Sequence, residues 1–285
     1  MIYLNGEFMP IEQAKIPVLD RGFIFGDGVY EVIPAYSRRP FRLAEHLARL
    51  QASLDAIRIA NPNTGAKWSE LVARIIEGNP WEDQNVYLQI TRGVAKRDHA
   101  FPKGLKPTVF LMATELITPS AELMKTGAQA IVLPDFRWLR CDIKSTSLLG
   151  NCMLRTQAAE AGCTEAILVR DGELTEASAS NVFVVKNGTV LAPPKSHLIL
   201  PGITYDVVLE ILRGNAIAHE VRPVKESELR SADEIWVTSS SREVLPITSL
   251  DGRPVGPGKP GPVGSRVHAL YQQYKAQVMR APVHA

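Results

Sequence analysis

Residues 165–193 read EAILVRDGELTEASASNVFVVKNGTVLAP, and this stretch decides the fold class. Two turn signals, Asp171-Gly172 and Asn187-Gly188, separate runs rich in β-branched and apolar residues, which is the pattern of short strands joined by tight turns. Helical periodicity lies on both sides, and it predicts helices over residues 147–162 and 202–214, each closed by a glycine. This mixture of strands and helices indicates an α/β (α+β) protein.

The first 115 residues show the same mixture. Asn5-Gly6 predicts a hairpin at the N-terminus, and apolar residues at helical spacing predict a helix over residues 43–57. A second helix is expected from Trp68 to Glu77. Strands are expected at residues 30–36, 85–93 and 107–114. A polar connector over 116–123 then divides a smaller N-terminal domain, 1–115, from a larger C-terminal domain, 124–285.

Composition excludes several classes of function. The chain has 285 residues with 45% apolar and 22% charged residues, and its formal net charge of +2 gives no case for binding nucleic acid. No run approaches the roughly 18 apolar residues that a membrane span needs, and the N-terminus does not resemble a signal peptide. Three sparse cysteines favour reduced thiols and no metal site. We expect a cytoplasmic protein that neither enters a membrane nor binds a metal.

Lys144 lies in CDIKSTSLLGN, residues 141–151, between a strand and a helix. Lysines are almost never fully buried, so an ordinary solvated loop lysine is one interpretation. The other is an amine held in a cleft, where a lysine acts as a nucleophile toward a carbonyl group.

Three local features could bind a phosphate group. Arg49 lies off the apolar stripe of its helix, and a hydroxyl cluster, Thr238 to Ser241, follows a strand. In LPGITYD, residues 200–206, a glycine turn leads into a helix, whose N-terminus suits an anion. Each has a plain alternative: a solvated arginine, a surface loop, and Thr204 as an ordinary N-cap.

Together with Lys144 and Glu176, a phosphate site suggests pyridoxal phosphate. That cofactor needs a lysine for its aldehyde, a cradle for its phosphate and an acidic partner for its ring nitrogen. Spacing alone leaves this interpretation open.

Six segments, in order, resemble those of the class IV (fold type IV) pyridoxal-phosphate aminotransferases. They are RGFIFGDGVYEV (21–32), HLARL (46–50), WLRCDIKSTSLLGN (138–151), EAILVRDGELTEASASNVFVV (165–185), LILPGIT (198–204) and VTSSS (237–241). The resemblance implies a two-domain α/β architecture with the cofactor at the domain interface. It also implies a homodimer.

The resemblance assigns a role to each motif residue. The imine-forming, catalytic lysine falls on Lys144, and the partner of the pyridine nitrogen falls on Glu176. The remaining cofactor contacts fall on the phosphate arginine Arg49, the ring support Leu200, the helix-end donors Ile203 and Thr204, and the nearby hydroxyl of Ser240.

The stretch TRGVAKRDHAF, residues 91–101, separates the branches of the family. D-amino-acid aminotransferases resemble it with an R-x-H pair that, with a tyrosine, holds the substrate carboxylate; these residues fall on Arg97, His99 and Tyr30. A guanidinium suits a carboxylate because two parallel hydrogen bonds can form. The plain alternative is a solvated charged loop. Asp98, where the family has a small residue, is a departure, as are Ala177 and Ala179.

The resemblance therefore implies a D-alanine-type transaminase that exchanges amino groups between D-amino acids and 2-oxo acids such as 2-oxoglutarate. Two alternatives use the same scaffold: a branched-chain L-amino-acid aminotransferase and an aminodeoxychorismate lyase. A third is a non-catalytic protein that only holds pyridoxal phosphate.

Overall fold

The computed structural model describes residues 1–280, and these residues form two compact units. The first unit comprises residues 1–116 and 143–148, and the second comprises 117–142 and 149–280. The sequence predicted one continuous C-terminal domain over 124–285. The structure differs, because residues 143–148 return to the first unit.

Backbone hydrogen bonds explain why residues 143–148 join the first unit. The N–H of Tyr30 donates to the carbonyl of Lys144 at 2.9 Å, and the N–H of Thr146 donates to the carbonyl of Gly28 at 3.0 Å. Ser145 also pairs with Val29 as an isolated bridge. The segment that carries Lys144 is therefore fixed against a first-unit strand.

The first unit contains, among the described residues, a six-stranded antiparallel sheet in the order β2-β1-β6-β5-β3-β4. The predicted hairpin is confirmed, since Asn5 and Gly6 both have positive φ, at 51° and 113°. The strands are β1 Ile2–Leu4, β2 Glu7–Met9, β3 Gly28–Tyr36, β4 Arg39–Pro40, β5 Gln84–Thr91 and β6 Thr108–Glu115.

Helices cover the apolar face of this sheet. They are α1 Arg21–Phe25, α2 Leu43–Ala56 and α3 Gly65–Glu77, and a 3₁₀ turn spans Ile11–Gln13. Buried residues of α2 and α3, such as Leu54 and Leu71, join the sheet in one core. The helix predicted from Trp68 begins one turn earlier, because the side chain of Thr64 accepts a hydrogen bond from the N–H of Lys67 and caps it.

The second unit contains, within residues 117–280, a nine-stranded mixed sheet. Its order is β12-β11-β10-β13-β14-β7-β8-β9, and β15 pairs with β14. Both predicted turns are confirmed, at Asp171-Gly172 and Asn187-Gly188. The strands are β7 Ala128–Pro134, β8 Glu165–Arg170, β9 Glu173–Ala177, β10 Asn181–Lys186, β11 Thr189–Ala192, β12 His219–Val221, β13 Glu234–Ser239, β14 Glu243–Leu250 and β15 Arg253–Pro254.

The helices of the second unit are α4 Ala121–Thr126, α5 Leu149–Glu160, α6 Ile203–Gly214, α7 Glu226–Arg230 and α8 Pro262–Tyr274, followed by a π-helical turn, Lys275–Met279. The predicted helices near 147–162 and 202–214 are confirmed. The connector predicted over 116–123 is partly helical, because Ser120 caps α4. Among residues 1–280, no helix is both long enough and apolar enough to cross a bilayer.

Candidate active site

Lys144 is half-buried beside the ring of Tyr30. Its Nζ lies 4.3 Å from the ring centroid, a cation–π distance. Its backbone N–H donates to Oγ of Ser53 at 3.2 Å, and its carbonyl accepts from Tyr30. Both backbone groups are thus held by the first unit. Lys144 is a positioned amine and not the solvated loop lysine of the plain interpretation.

Arg49 is held by a buried carboxylate on the neighbouring strand. Glu31 on β3 is fully buried, and it accepts hydrogen bonds from Nε and Nη2 of Arg49, each at 2.7 Å. Two parallel bonds fix the plane of a guanidinium as well as its distance. The plain interpretation of Arg49 as a solvated arginine is therefore wrong.

His46 completes this cluster, with Nδ1 at 2.8 Å from Oε2 of Glu31. Burial opposes ionisation of Glu31, but Arg49 and His46 outweigh it and lower the pKa of Glu31 to about 2. Burial lowers the pKa of His46 as well, so we assign the neutral ring with Nδ1 donating to Glu31. Nε2 of His46 is then a buried acceptor with no hydrogen-bond partner in residues 1–280.

Residues 97–99, which we call the clamp loop, follow β5 in the first unit. Arg97 and His99 are exposed, and both lie against Phe25 of α1. The guanidinium of Arg97 forms no ion pair within residues 1–280. The contacts of this pair are with Phe25, whereas Tyr30 lies against Lys144. The structure therefore does not bring the three proposed carboxylate ligands together within the unit.

Glu176, at the end of β9, is buried and is surrounded by donors. Nη1 of Arg137 donates to Oε1 at 2.5 Å, and the N–H of Leu200 donates to Oε2 at 3.1 Å. Burial raises the pKa of Glu176 to about 7, although Arg137 acts in the opposite direction. The carboxyl group can therefore hold or release a proton near neutral pH.

Arg137 is itself fixed by a second carboxylate. Its Nε and Nη2 donate to the two oxygens of Asp135, each at 2.9 Å, and Thr175 donates to the same carboxylate. Because Arg137 is immobilised in this way, the position of Glu176 does not depend on a mobile side chain.

Asn181, at the start of β10, connects Glu176 to the segment that leads into α6. Its Nδ2 lies 3.4 Å from Oε2 of Glu176 and donates to the carbonyl of Leu200 at 3.0 Å. A Cβ on Gly202 would collide with Oδ1 of Asn181, so this close approach requires glycine.

Helix α6 begins at Ile203 with Gly202 as its N-cap, and no side chain caps it. The alternative in which Thr204 is the N-cap is therefore wrong. The N–H groups of Ile203 and Thr204 have no acceptor within the helix because they belong to its first turn. Such an end is suited to binding an anion.

The hydroxyl cluster at 238–241 lies at the same edge of the sheet. Thr238 is paired directly with Asn181 in the β10–β13 ladder. Its Oγ1 is buried and has no hydrogen-bond partner in residues 1–280. Ser240 follows in the turn before β14 and is partly exposed. A buried hydroxyl without a partner has free hydrogen-bonding capacity that a bound group could use.

The sequence predicted the residues at the centre of each cluster but missed those that support them. Arg137, Asn181, Glu31 and His46 were not predicted. Asn181 lies five residues after Glu176 in the opening stretch, and its place at the start of a strand could have indicated it. Arg137 gave no such indication, since it contacts Glu176 across 39 residues of chain.

Comparison with known proteins gives the family. The sequence profile described as "Amino-transferase class IV" matches residues 28–250. The chain belongs to the class IV aminotransferases. The resemblance inferred from the six segments is thereby confirmed.

Curated relatives and solved structures cover nearly the whole chain. A D-alanine aminotransferase of Bacillus licheniformis is 41% identical over 271 residues, which is 95% of each chain. One from Staphylococcus haemolyticus is 36% identical over 96% of this chain and 97% of its own.

Solved structures confirm the fold. The branched-chain amino acid aminotransferase of Escherichia coli superposes with a TM-score of 0.89 at 26% identity, covering 99% of this chain and 96% of its own. A second branched-chain amino acid aminotransferase, from the organism abbreviated T.th. and solved with pyridoxamine 5'-phosphate, has a TM-score of 0.90 at 28% identity, covering 99% and 95%. The family implies pyridoxal phosphate as the cofactor.

The residues present fit this cofactor. The first unit supplies an amine fixed by its backbone and an arginine fixed by Glu31. The second supplies a carboxyl group with a pKa of about 7, an uncapped helix N-terminus and the unpartnered hydroxyl of Thr238. An aldehyde, a pyridine nitrogen and a phosphate need groups of these kinds.

Proposed function

We propose that the protein is a D-amino-acid transaminase, which moves the amino group between D-alanine, or other D-amino acids, and 2-oxoglutarate. Support comes from the D-alanine aminotransferases that match over 95% of both chains. The structural observation that carries the proposal is the clamp loop. Arg97 there is exposed and without an ion pair in residues 1–280, as a carboxylate-binding arginine should be before substrate arrives.

A branched-chain L-amino-acid aminotransferase is the second candidate. It is favoured by the solved structures that superpose at TM-scores of 0.89 and 0.90. These structures share 26% and 28% identity with the chain, whereas the D-alanine aminotransferases share 36% and 41%. No contact in the described residues favours an aminodeoxychorismate lyase. A non-catalytic carrier would not need a positioned amine and a carboxyl group tuned near pH 7.

We propose that Lys144, Arg49, Glu176, Leu200, Ile203, Thr204 and Ser240 hold pyridoxal phosphate. Lys144 would bond its aldehyde, Glu176 its ring nitrogen, and Leu200 would support the ring. Arg49, the N–H groups of Ile203 and Thr204, and the hydroxyl of Ser240 would bind the phosphate. Pyridoxal phosphate, when bound, supplies an aldehyde that condenses with amines and a ring that withdraws electrons from the adjacent carbon.

Lys144 and Glu176 then have separate tasks. Displaced by the incoming amino acid, Nζ of Lys144 takes up the proton that the substrate Cα releases, which is general base catalysis by a positioned group. Glu176 keeps a proton on the ring nitrogen. Its partners Arg137 and Leu200 hold the carboxylate still while this proton is shared.

The clamp would decide handedness. Lys144 is fixed, so it can serve only one face of the substrate, and the hand that reacts depends on which pocket receives the carboxylate. Arg97, His99 and Tyr30 would mark that pocket, and the other pocket would receive the side chain.

Replacing Arg97 by leucine should lower kcat/KM for D-alanine by about ten- to a hundredfold, because a hydrogen bond to a charged group contributes roughly 1.5–3 kcal/mol. Simple amines without a carboxylate should be affected much less. Steady-state kinetics with both substrates, and with exposed Lys96→Ala as a matched control, checks this. Equal losses for both kinds of substrate would contradict the clamp.

We also propose a cytoplasmic homodimer in which the clamp loop of one subunit serves the site of the other. Exposed apolar side chains such as Val18, Phe23, Trp138 and Leu149 support an interface, and the free thiol of exposed Cys152 suits a reducing compartment.

Mixing inactive Lys144→Ala subunits with inactive Arg97→Ala subunits tests the crossing. One site of each mixed dimer would then have both residues, so up to half of the sites in mixed dimers should regain activity. No recovery after demonstrated subunit exchange would place the loop in its own subunit's site.

A further inference from the structure

Asp98, which departs from the family pattern, binds its own loop. Its Oδ1 accepts a hydrogen bond from the N–H of Ala100 at 3.0 Å, which forms an Asx turn. A carboxylate beside Arg97 could have paired with the guanidinium and competed with a substrate. In residues 1–280 it does not, because no ion pair joins Asp98 to Arg97. The side chain therefore shapes the loop and leaves Arg97 accessible.

Arg21 ties the same loop to the interior of the first unit. Its Nη1 donates to the backbone carbonyl of Asp98 at 2.5 Å, and its Nε donates to Asp27 at 2.6 Å. Arg21 is only 2% exposed, and Asp27 is also held by Arg92 through bonds of 2.8 and 2.9 Å. The donor that holds the loop is thus an immobilised part of a buried ion-pair network.

Phe25 gives both functional side chains one surface to rest on. The guanidinium of Arg97 lies 5.3 Å from the ring centroid, and the ring of His99 lies 5.6 Å away. Arg21 lies over the same ring, at 4.7 Å. The anchor of the loop and its two carboxylate-binding side chains therefore meet at a single aromatic ring.

We propose that Asp98 and Arg21 are positioning residues that hold the clamp loop in its binding conformation before substrate arrives. The inference rests on the proposed function, since it concerns the loop that would bind the substrate carboxylate. A loop ordered in advance lowers the entropy cost of binding. The benefit is confined to substrates with a carboxylate, and it is the same whichever subunit's site the loop serves.

The Asp98→Ala and Asp98→Asn variants test this together. Alanine removes the acceptor of the Ala100 N–H, so KM for D-alanine should rise roughly two- to tenfold, the equivalent of one hydrogen bond. The effect on kcat should be smaller, and an amine without a carboxylate should change by less than about twofold. Asparagine keeps the acceptor and removes the charge, so Asp98→Asn should resemble the wild type.

If Asp98→Asn raises KM as much as Asp98→Ala, the charge matters and the turn does not, which overturns the proposal. Hydrogen–deuterium exchange at the Ala100 amide gives a readout independent of activity. Exchange should be several-fold faster in Asp98→Ala and near wild type in Asp98→Asn. Unchanged exchange in Asp98→Ala would also overturn it. A wild type that fails to convert D-alanine would instead refute the proposed function, and the exchange data alone would then decide whether Asp98 holds the loop.

Discussion

Lys144→Ala should lower transamination by roughly a thousandfold or more while the chain stays folded, because the change removes both the covalent nucleophile and the proton carrier. The structure supports a folded variant, since the fixed parts of Lys144 are its backbone N–H and carbonyl, which alanine retains. Turnover of D-alanine with 2-oxoglutarate and the absorbance of added pyridoxal phosphate should both be measured.

The exposed lysine Lys125 in α4 offers a matched control. Lys125→Ala should keep wild-type turnover and cofactor absorbance, and thermal unfolding of both variants should match that of the wild type. A Lys144→Ala protein that turns over at near the wild-type rate would show that another group is the nucleophile.

Glu176→Gln should slow the half-reaction with D-alanine by about ten- to a hundredfold, since it removes a charged hydrogen bond from the ring nitrogen. Glutamine retains an oxygen for the N–H of Leu200, so the local backbone should stay in place. Arg137 keeps both bonds to Asp135. Single-turnover absorbance measurements give the rate separately from cofactor binding, which should persist through Lys144 and the phosphate contacts.

Glu173 lies on the same strand, β9, and is exposed, so Glu173→Gln is the matched control and should leave the half-reaction unchanged. An unchanged rate in Glu176→Gln as well would assign the ring nitrogen to a different partner.

Local patterns were enough to predict most elements of the fold. The hairpin at Asn5-Gly6 and helices α2 and α6 follow from turn chemistry and apolar spacing, which are properties of neighbouring residues. Helix α1 was missed although its signals are present: Asp20 caps its start and Gly26 ends it in the left-handed region, with φ 64°. Strand β14 was missed because Pro246 lies in its middle, where a proline argues against a strand.

Long-range pairing could not be predicted in this way. Residues 143–148 join the first unit through hydrogen bonds to β3, which lies far earlier in the chain. The contact of Arg137 with Glu176 and that of Arg21 with Asp98 likewise join segments that no local pattern relates. For this reason the motifs gave the residues that act, whereas the structure was needed for those that hold them.

The central claim is that this class IV aminotransferase acts on D-amino acids, and paired half-reactions test it most directly. Protein loaded with pyridoxal phosphate is mixed with D-alanine, L-alanine or L-leucine, and the cofactor absorbance is followed through a single turnover. The account predicts rapid loss of the starting band with D-alanine and its persistence with both L-amino acids. Faster reaction with L-leucine than with D-alanine would contradict it and support the branched-chain assignment.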